Sequence, residues 1–204
     1  MKRTFLSILA FIIVLTFIPQ ESYAYMVKYK EDWYKLYHVH YQQYPDDCME
    51  NIYWLERAVE ADFCNPLYTG IRFKTEKQWE KYRYLFMMHI NLKLIEQHLR
   101  LGKTYNKQEI YFYDAAWKDE YLNDLNKALS CYKTGLFYWN EAKLWCEKSN
   151  ASSFNFLFIT EKQNWEDERQ RIVDGNLDYQ KILEREISRV EKNIKQLEVM
   201  EKYY

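Results

Sequence analysis

"EKQWEKYRYLFMMHINLKLIEQHLRL", Glu76 to Leu101, is the stretch whose reading decides the fold. Thr75 followed three residues later by Gln78 has the pattern of a capping box, which satisfies the exposed N–H groups of a helix start. Gly102 supplies a left-handed stop at the other end. Between them, Tyr84 to Ile95 is apolar on nearly every side of a helix. Such a segment predicts the central, most buried helix of a bundle, since a surface helix keeps one polar face.

Towards the C-terminus, the polar loop "GKTYNKQ" and the aromatic connection "YFYDAAW" lead into a second long helix, from about Lys118 to Lys148. Leu125, Ala128, Leu129, Tyr132, Gly135, Leu136, Trp139 and Ala142 recur there at steps of three and four, one continuous buried stripe. Gly135 inside it marks a close helix contact rather than a break. After "SNASS", a shorter helix is entered through Thr160, spans about Glu161 to Val173 and is stopped by Gly175. The last helix, Leu177 to about Lys202, carries Leu183, Ile187, Val190, Ile194 and Leu197 at alternating four and three steps, a coiled-coil-like seam. That seam either packs back on its own domain or pairs with a partner.

Towards the N-terminus, "CNPLYTG" interrupts a helix that Asp46 or Asp47 caps and that runs to about Phe63. Pro45 closes the opening helix before it. Four glycines and three prolines in 204 residues leave few turn makers, which disfavours strand-rich folds. Lys2-Arg3, the uncharged run Phe5 to Ile18 and "PQESYA" have the form of a signal peptide over residues 1–24, with Tyr25 as the new N-terminus. At fourteen residues the run is short of the roughly 20 that span a bilayer. Removing Lys2, Arg3 and Glu21 leaves 27 basic and 29 acidic residues, so neither nucleic acid nor an anionic membrane is an expected partner. The expectation is a periplasmic or extracellular single all-helical domain over residues 25–204.

"EDWYKLYHVHYQQYP", Glu31 to Pro45, crowds rings and imidazoles. Tyr34, Tyr37, Tyr41 and Tyr44 stand at steps of three, four and three and so share one helix stripe, either the rim of the core or a protein-binding face. His38 and His40 lie about 200° apart on a helix and cannot share a metal ion. Met87, Met88 and His89 are soft-metal ligand types, but methionine inside an apolar helix is ordinarily core filler. No HExxH, GxSxG, Walker or GxGxxG pattern occurs, and Glu166, Asp167 and Glu168 suit a solvated helix face. No catalytic residue, metal ligand, cofactor or small-molecule substrate is expected.

Cys48 and Cys64 bracket one helix, and Cys131 and Cys146 lie at nearly equal spacing in another. Neither pair bridges internally, because roughly 22–24 Å separates each while a disulfide holds its Cα atoms within about 7 Å. In an exported chain two links, Cys48 to Cys131 and Cys64 to Cys146, would staple these helices if they are neighbours. Four buried thiols is the alternative.

"YWLERAVEADFCNP", with Ala61 five residues before Pro66, resembles the second helix of a tetratricopeptide repeat, and Trp79, Tyr82 and Phe86 match positions of a first helix. Arg83 and Ala58 depart from it, standing where the repeat has glycine and a ring. The wider pattern, through "NWEDERQRIVDGNLDY", is similar to small helical periplasmic proteins of spirochaetes, some of which build the collar around the flagellar motor. The resemblance implies an antiparallel helical bundle with tetratricopeptide-like hairpins and a long C-terminal helix, acting without enzymatic activity through other envelope-assembly proteins. For such an interaction the candidate contacts are Tyr34, Tyr37, Tyr41, Ile187, Val190 and Ile194. The competing expectation is a periplasmic protein that binds a small ligand or metal in an aromatic pocket between helices.

Overall fold

A computed structural model describes residues 26–106 and 117–199, so the segment expected to be a signal peptide, most of the aromatic connection and residues 200–204, where the last helix is expected to end, lie outside it. Among the described residues the protein is all-α. Six helices form: α1 (Lys30–Gln43), α2 (Cys48–Glu60), α3 (Glu76–Tyr105), α4 (Lys118–Ser149), α5 (Gln163–Val173) and α6 (Tyr179–Val199). The only β pairing among the described residues is an isolated bridge between Tyr29 and Asp62.

Local chemistry sets the helix ends. The Asp32 carboxylate accepts the Tyr29 N–H at 3.2 Å to start α1. The Asp47 side chain accepts from the Glu50 N–H at 3.2 Å to start α2. Thr75 Oγ1 accepts from the Gln78 N–H at 3.2 Å, and the Gln78 amide oxygen accepts the Lys74 N–H at 2.6 Å, one residue earlier than a standard capping box. Gly175, at φ +71°, ends α5 in the left-handed region.

Gly102 plays a different part from the one its position in the sequence suggests. The helix continues three residues past it to Tyr105, and Gly102 stays inside α3. A Cβ there would stand 2.4 Å from the Tyr132 ring of α4, so the glycine exists for a close crossing. Gly135 is the close contact its sequence predicts: a Cβ would meet Leu183 of α6 at 3.0 Å.

α3 is the centre. Leu85, Met88, Ile90, Leu94 and Ile95 are fully buried, and Met87 and Phe86 nearly so. α4 runs antiparallel along it, pairing Tyr84 with Trp145 and His98 with Tyr138. α1 and α2 form a hairpin on another side, with Trp33 stacked on Trp54. The Lys30 ammonium donates to the carbonyls of Ala58 and Val59, a cation on the last turn of α2. α6 returns antiparallel along α4, from Tyr179 against Trp139 to Lys118 Nζ donating to the Glu198 carbonyl.

This packing consumes the seam of α6. Val190 and Leu183 are fully buried, Leu197 is 2% exposed, and Ile187 and Ile194 are half-buried against the same core. Val190, Ile187 and Ile194 therefore belong to the core rather than to an open partner-binding face. The stripe offered to a partner is the one α4 already covers.

Candidate functional site

The tyrosine stripe of α1 also turns inward. Tyr37 is 3% exposed, Tyr34 and Tyr41 are half-buried against the core, and Tyr44 alone faces water. As candidate surface contacts Tyr34, Tyr37 and Tyr41 are corrected accordingly: their rings fill the join between α1 and α3. His38 and His40 diverge as helical geometry requires. His38 shares a hydrogen bond with Gln42 on its own helix, whereas His40 Nδ1 reaches Asn51 of α2 at 3.1 Å.

Tyr34 sits in the one chain of acid–base groups that joins three helices among the described residues. Its hydroxyl lies 2.7 Å from His89 Nε2 of α3, and His89 Nδ1 lies 2.6 Å from Glu168 Oε2 of α5. With the proton on Nδ1 donated to the carboxylate, Nε2 accepts the Tyr34 hydroxyl proton. Trp165 stacks on the imidazole at 5.0 Å and edges the Tyr34 ring at 6.4 Å. A cleft of about 390 Å³ opens above, between α1 and the start of α5, lined by Tyr34, His38, Lys162 and Trp165 among others.

The order phenol, imidazole, carboxylate is one that can relay a proton. Burial works against that use. It pushes the Tyr34 hydroxyl well above the ordinary tyrosine range, with the Glu168 charge adding to the effect. It also lowers His89 despite the hydrogen bond that its Nδ1–H donates to Glu168, which favours the imidazolium. Both shifts keep the phenol and the imidazole uncharged beside the Glu168 carboxylate, and the two hydrogen bonds clamp α1 and α5 on α3. Among the described residues no three His, Cys, Asp or Glu side chains gather as a metal site.

Glu166, Asp167 and Glu168 do not form the solvated face their sequence suggests. Glu168 holds His89, and Glu166, 4% exposed, binds Lys81 Nζ at 2.7 Å and Arg169 Nε at 3.1 Å. Only Asp167 faces water. Trp165, Arg169 and Ile172, at steps of four and three, were the signal for this inner face.

All four cysteines are free thiols, so neither Cys48 to Cys131 nor Cys64 to Cys146 is linked. Cys146 Sγ donates to the Arg169 carbonyl at 3.7 Å. Cys64 is drawn to α1, its N–H donating to Glu31 Oε2 at 3.0 Å, and burial beside that carboxylate pushes its thiol up to about 12. The chain turns away after Glu60, which takes Cys64 off the axis of α2 and removes the equal spacing behind the second pairing. Cys48 and Cys131 do lie within electrostatic range, and Cys48 contributes to raising the Cys131 thiol.

Large apolar side chains reach water at several places, among them Met49, Trp117, Phe137 and Val199, and five of them stand on loops at one end of the bundle. Met26, Leu67, Tyr68, Phe156 and Phe158 are 79%, 86%, 78%, 98% and 63% exposed. The segments before α1, between α2 and α3, and between α4 and α5 meet there: Lys30 N–H donates to the Asp62 carbonyl, Phe73 packs on Trp79, and Lys81 Nζ donates to the Leu157 carbonyl.

The architecture is a helical-hairpin bundle built on one central helix. Residues 77–200, α3 through α6, match a family model described as a domain of unknown function (DUF8513), more than half of the chain, and the chain belongs to that family. The match contains His89, Trp165 and Glu168 and leaves Tyr34 outside it. No curated protein and no solved structure matches the chain.

Proposed function

We propose that the chain is a non-enzymatic protein–protein interaction module of the bacterial envelope, working in the periplasm after loss of residues 1–24, in an assembly of the flagellar-collar type. The observation that carries this reading is the apolar end formed by Met26, Leu67, Tyr68, Phe156 and Phe158. Large apolar side chains on neighbouring loops supply anchors that another protein can cover. The internally satisfied hydrogen bonds of the Tyr34–His89–Glu168 clamp support a structural role over a catalytic one. The tetratricopeptide-like hairpins and the resemblance to spirochaete periplasmic proteins supply the proposed setting. Other envelope-assembly proteins are the proposed partners, with neither nucleic acid nor a small-molecule substrate involved. No helix among the described residues is long and apolar enough to cross a membrane.

A second reading, a small-ligand-binding protein, is favoured by the cleft between α1 and α5, where Lys162 lies 4.4 Å over the Trp165 ring. Tagged recovery from the native envelope decides between them. The interaction reading expects a partner that the wild type retains and a Phe156→Ser/Phe158→Ser variant loses. A lone monomer that carries a small molecule in native mass spectrometry supports the second.

A further inference from the structure

The loop that carries Phe156 and Phe158 also closes a pocket of about 230 Å³ against the end of α4, and its walls include two buried cations, Lys81 and Arg169. Their side chains are 3% and 11% exposed. One carboxylate, Glu166, serves both, and it does not line the pocket. Its Oε1 takes Lys81 Nζ at 2.7 Å and the Ile159 N–H at 3.3 Å, while its Oε2 takes Arg169 Nε at 3.1 Å, so both oxygens are committed.

Two basic side chains thus share one carboxylate, and burial lowers the Lys81 pKa against the pull of Glu166. The last carbonyls of α4, around Ser149 and Asn150, offset about half a charge through the helix dipole, which leaves the walls cationic. The donors are not exhausted either. Of three ammonium N–H groups on Lys81, Glu166 and the Leu157 carbonyl take two. Of five on Arg169, Glu166, Asn150 Oδ1 and Gln170 Oε1 take three, which leaves one on each terminal nitrogen. Cations taken out of water without matching anions are expensive, and an anion placed beside them recovers that cost. Around this cationic pocket stand Phe158 as a wall and the almost fully exposed Phe156.

We propose that this pocket receives the carboxylate of an acidic side chain from a partner polypeptide, whose apolar neighbours cover Phe156 and Phe158. The proposal rests on the interaction reading and names the partner's chemistry. A free carboxylate or phosphate ion would satisfy Lys81 and Arg169 but leave both phenylalanines in water, which is why a peptide is the occupant.

The test is selection of random capped 12-residue peptides on the immobilised full chain, followed by titration of selected peptides against the labelled protein with backbone amide shifts as readout. The expected result is enrichment of sequences with an aspartate or glutamate between apolar residues, shifting the amides of residues 149–158. Changing that one acid to its amide weakens binding about tenfold or more on the unaltered protein, and Phe158→Ser, at an exposed position, weakens it as well. Selection of no peptide, selection of peptides without an acid, or indifference to the acid-to-amide change overturns the proposal. So does full displacement of the peptide by acetate or phosphate at equal concentration, which marks a small-ion site. Partner capture through Phe156 with a negative peptide result removes this pocket and leaves the interaction reading standing. Peptide binding without any envelope partner does the reverse.

Discussion

His98 shows how a single buried residue sets a property of the molecule. It is 8% exposed on α3, stacks on Tyr138 at 5.5 Å, and neither ring nitrogen has a hydrogen-bond partner among the described residues. Burial lowers its pKa from 6.5 to about 4. The folded chain therefore refuses a proton that the unfolded chain accepts. The stability this confers is fully present above pH 6.5 and is lost as pH falls towards 4, up to on the order of 3 kcal/mol. His98→Phe keeps the stack and removes the titration. Denaturant melts from pH 7 to pH 4 are expected to fall less steeply for the variant than for the wild type; parallel curves would mean that His98 is solvated. Tyr34→Phe acts at the same scale by stripping His89 Nε2 of its donor. An unsatisfied buried acceptor costs about 1–3 kcal/mol, and the loss should appear as a lower midpoint in the same melts with helical circular dichroism unchanged.

Among the helices, α3 was the most legible from sequence, because a helix apolar on all sides has to be central. What the sequence left ambiguous was the meaning of particular residues in contact. Gly102 has the form of a stop, yet Tyr132 at 2.4 Å from its would-be Cβ makes it a crossing point. Tyr132 is fully buried and has no room to swing away. Gly102→Ala is accordingly expected to lose about 1–3 kcal/mol despite the better helix propensity of alanine; thermal melts that show a gain would contradict the α3–α4 crossing. The tyrosine stripe of α1 and the Ile187, Val190 and Ile194 seam of α6 have correct periodicity, but periodicity fixes only which residues share a face. Whether that face meets its own chain or another is decided by tertiary packing. The cysteine spacing is a similar case. It would staple α2 to α4 twice, but all four thiols are free, and Cys64 stands four residues past the end of its helix. Mild oxidation followed by non-reducing peptide mapping should link Cys48 to Cys131 before any other pair, and a first link between Cys64 and Cys146 would contradict this geometry.

For the whole molecule, the aromatic content serves in two ways. The interior ladder of Phe86, His89, Trp165 and Tyr34 locks three helices, while the loops at one end hold Leu67, Tyr68, Phe156 and Phe158 in water. That end was not legible in the sequence, because "CNPLYTG" and "SSFNFLFIT" lie more than eighty residues apart and only the fold brings them to one end. The buried charges of α5 were hidden for the opposite reason: acidic residues on a short helix resemble a wet face until a lysine from α3 and an arginine one turn on are seen to enclose one of them. The central claim is that the apolar end is where another protein binds. Its most direct test places a photo-crosslinking amino acid at Phe156, at Tyr68 and, as a control at the far end of α3, at Lys103, in the native envelope. The account predicts that positions 156 and 68 capture the same envelope protein and that position 103 does not. Capture at none of the three, or equally at all of them, would contradict it.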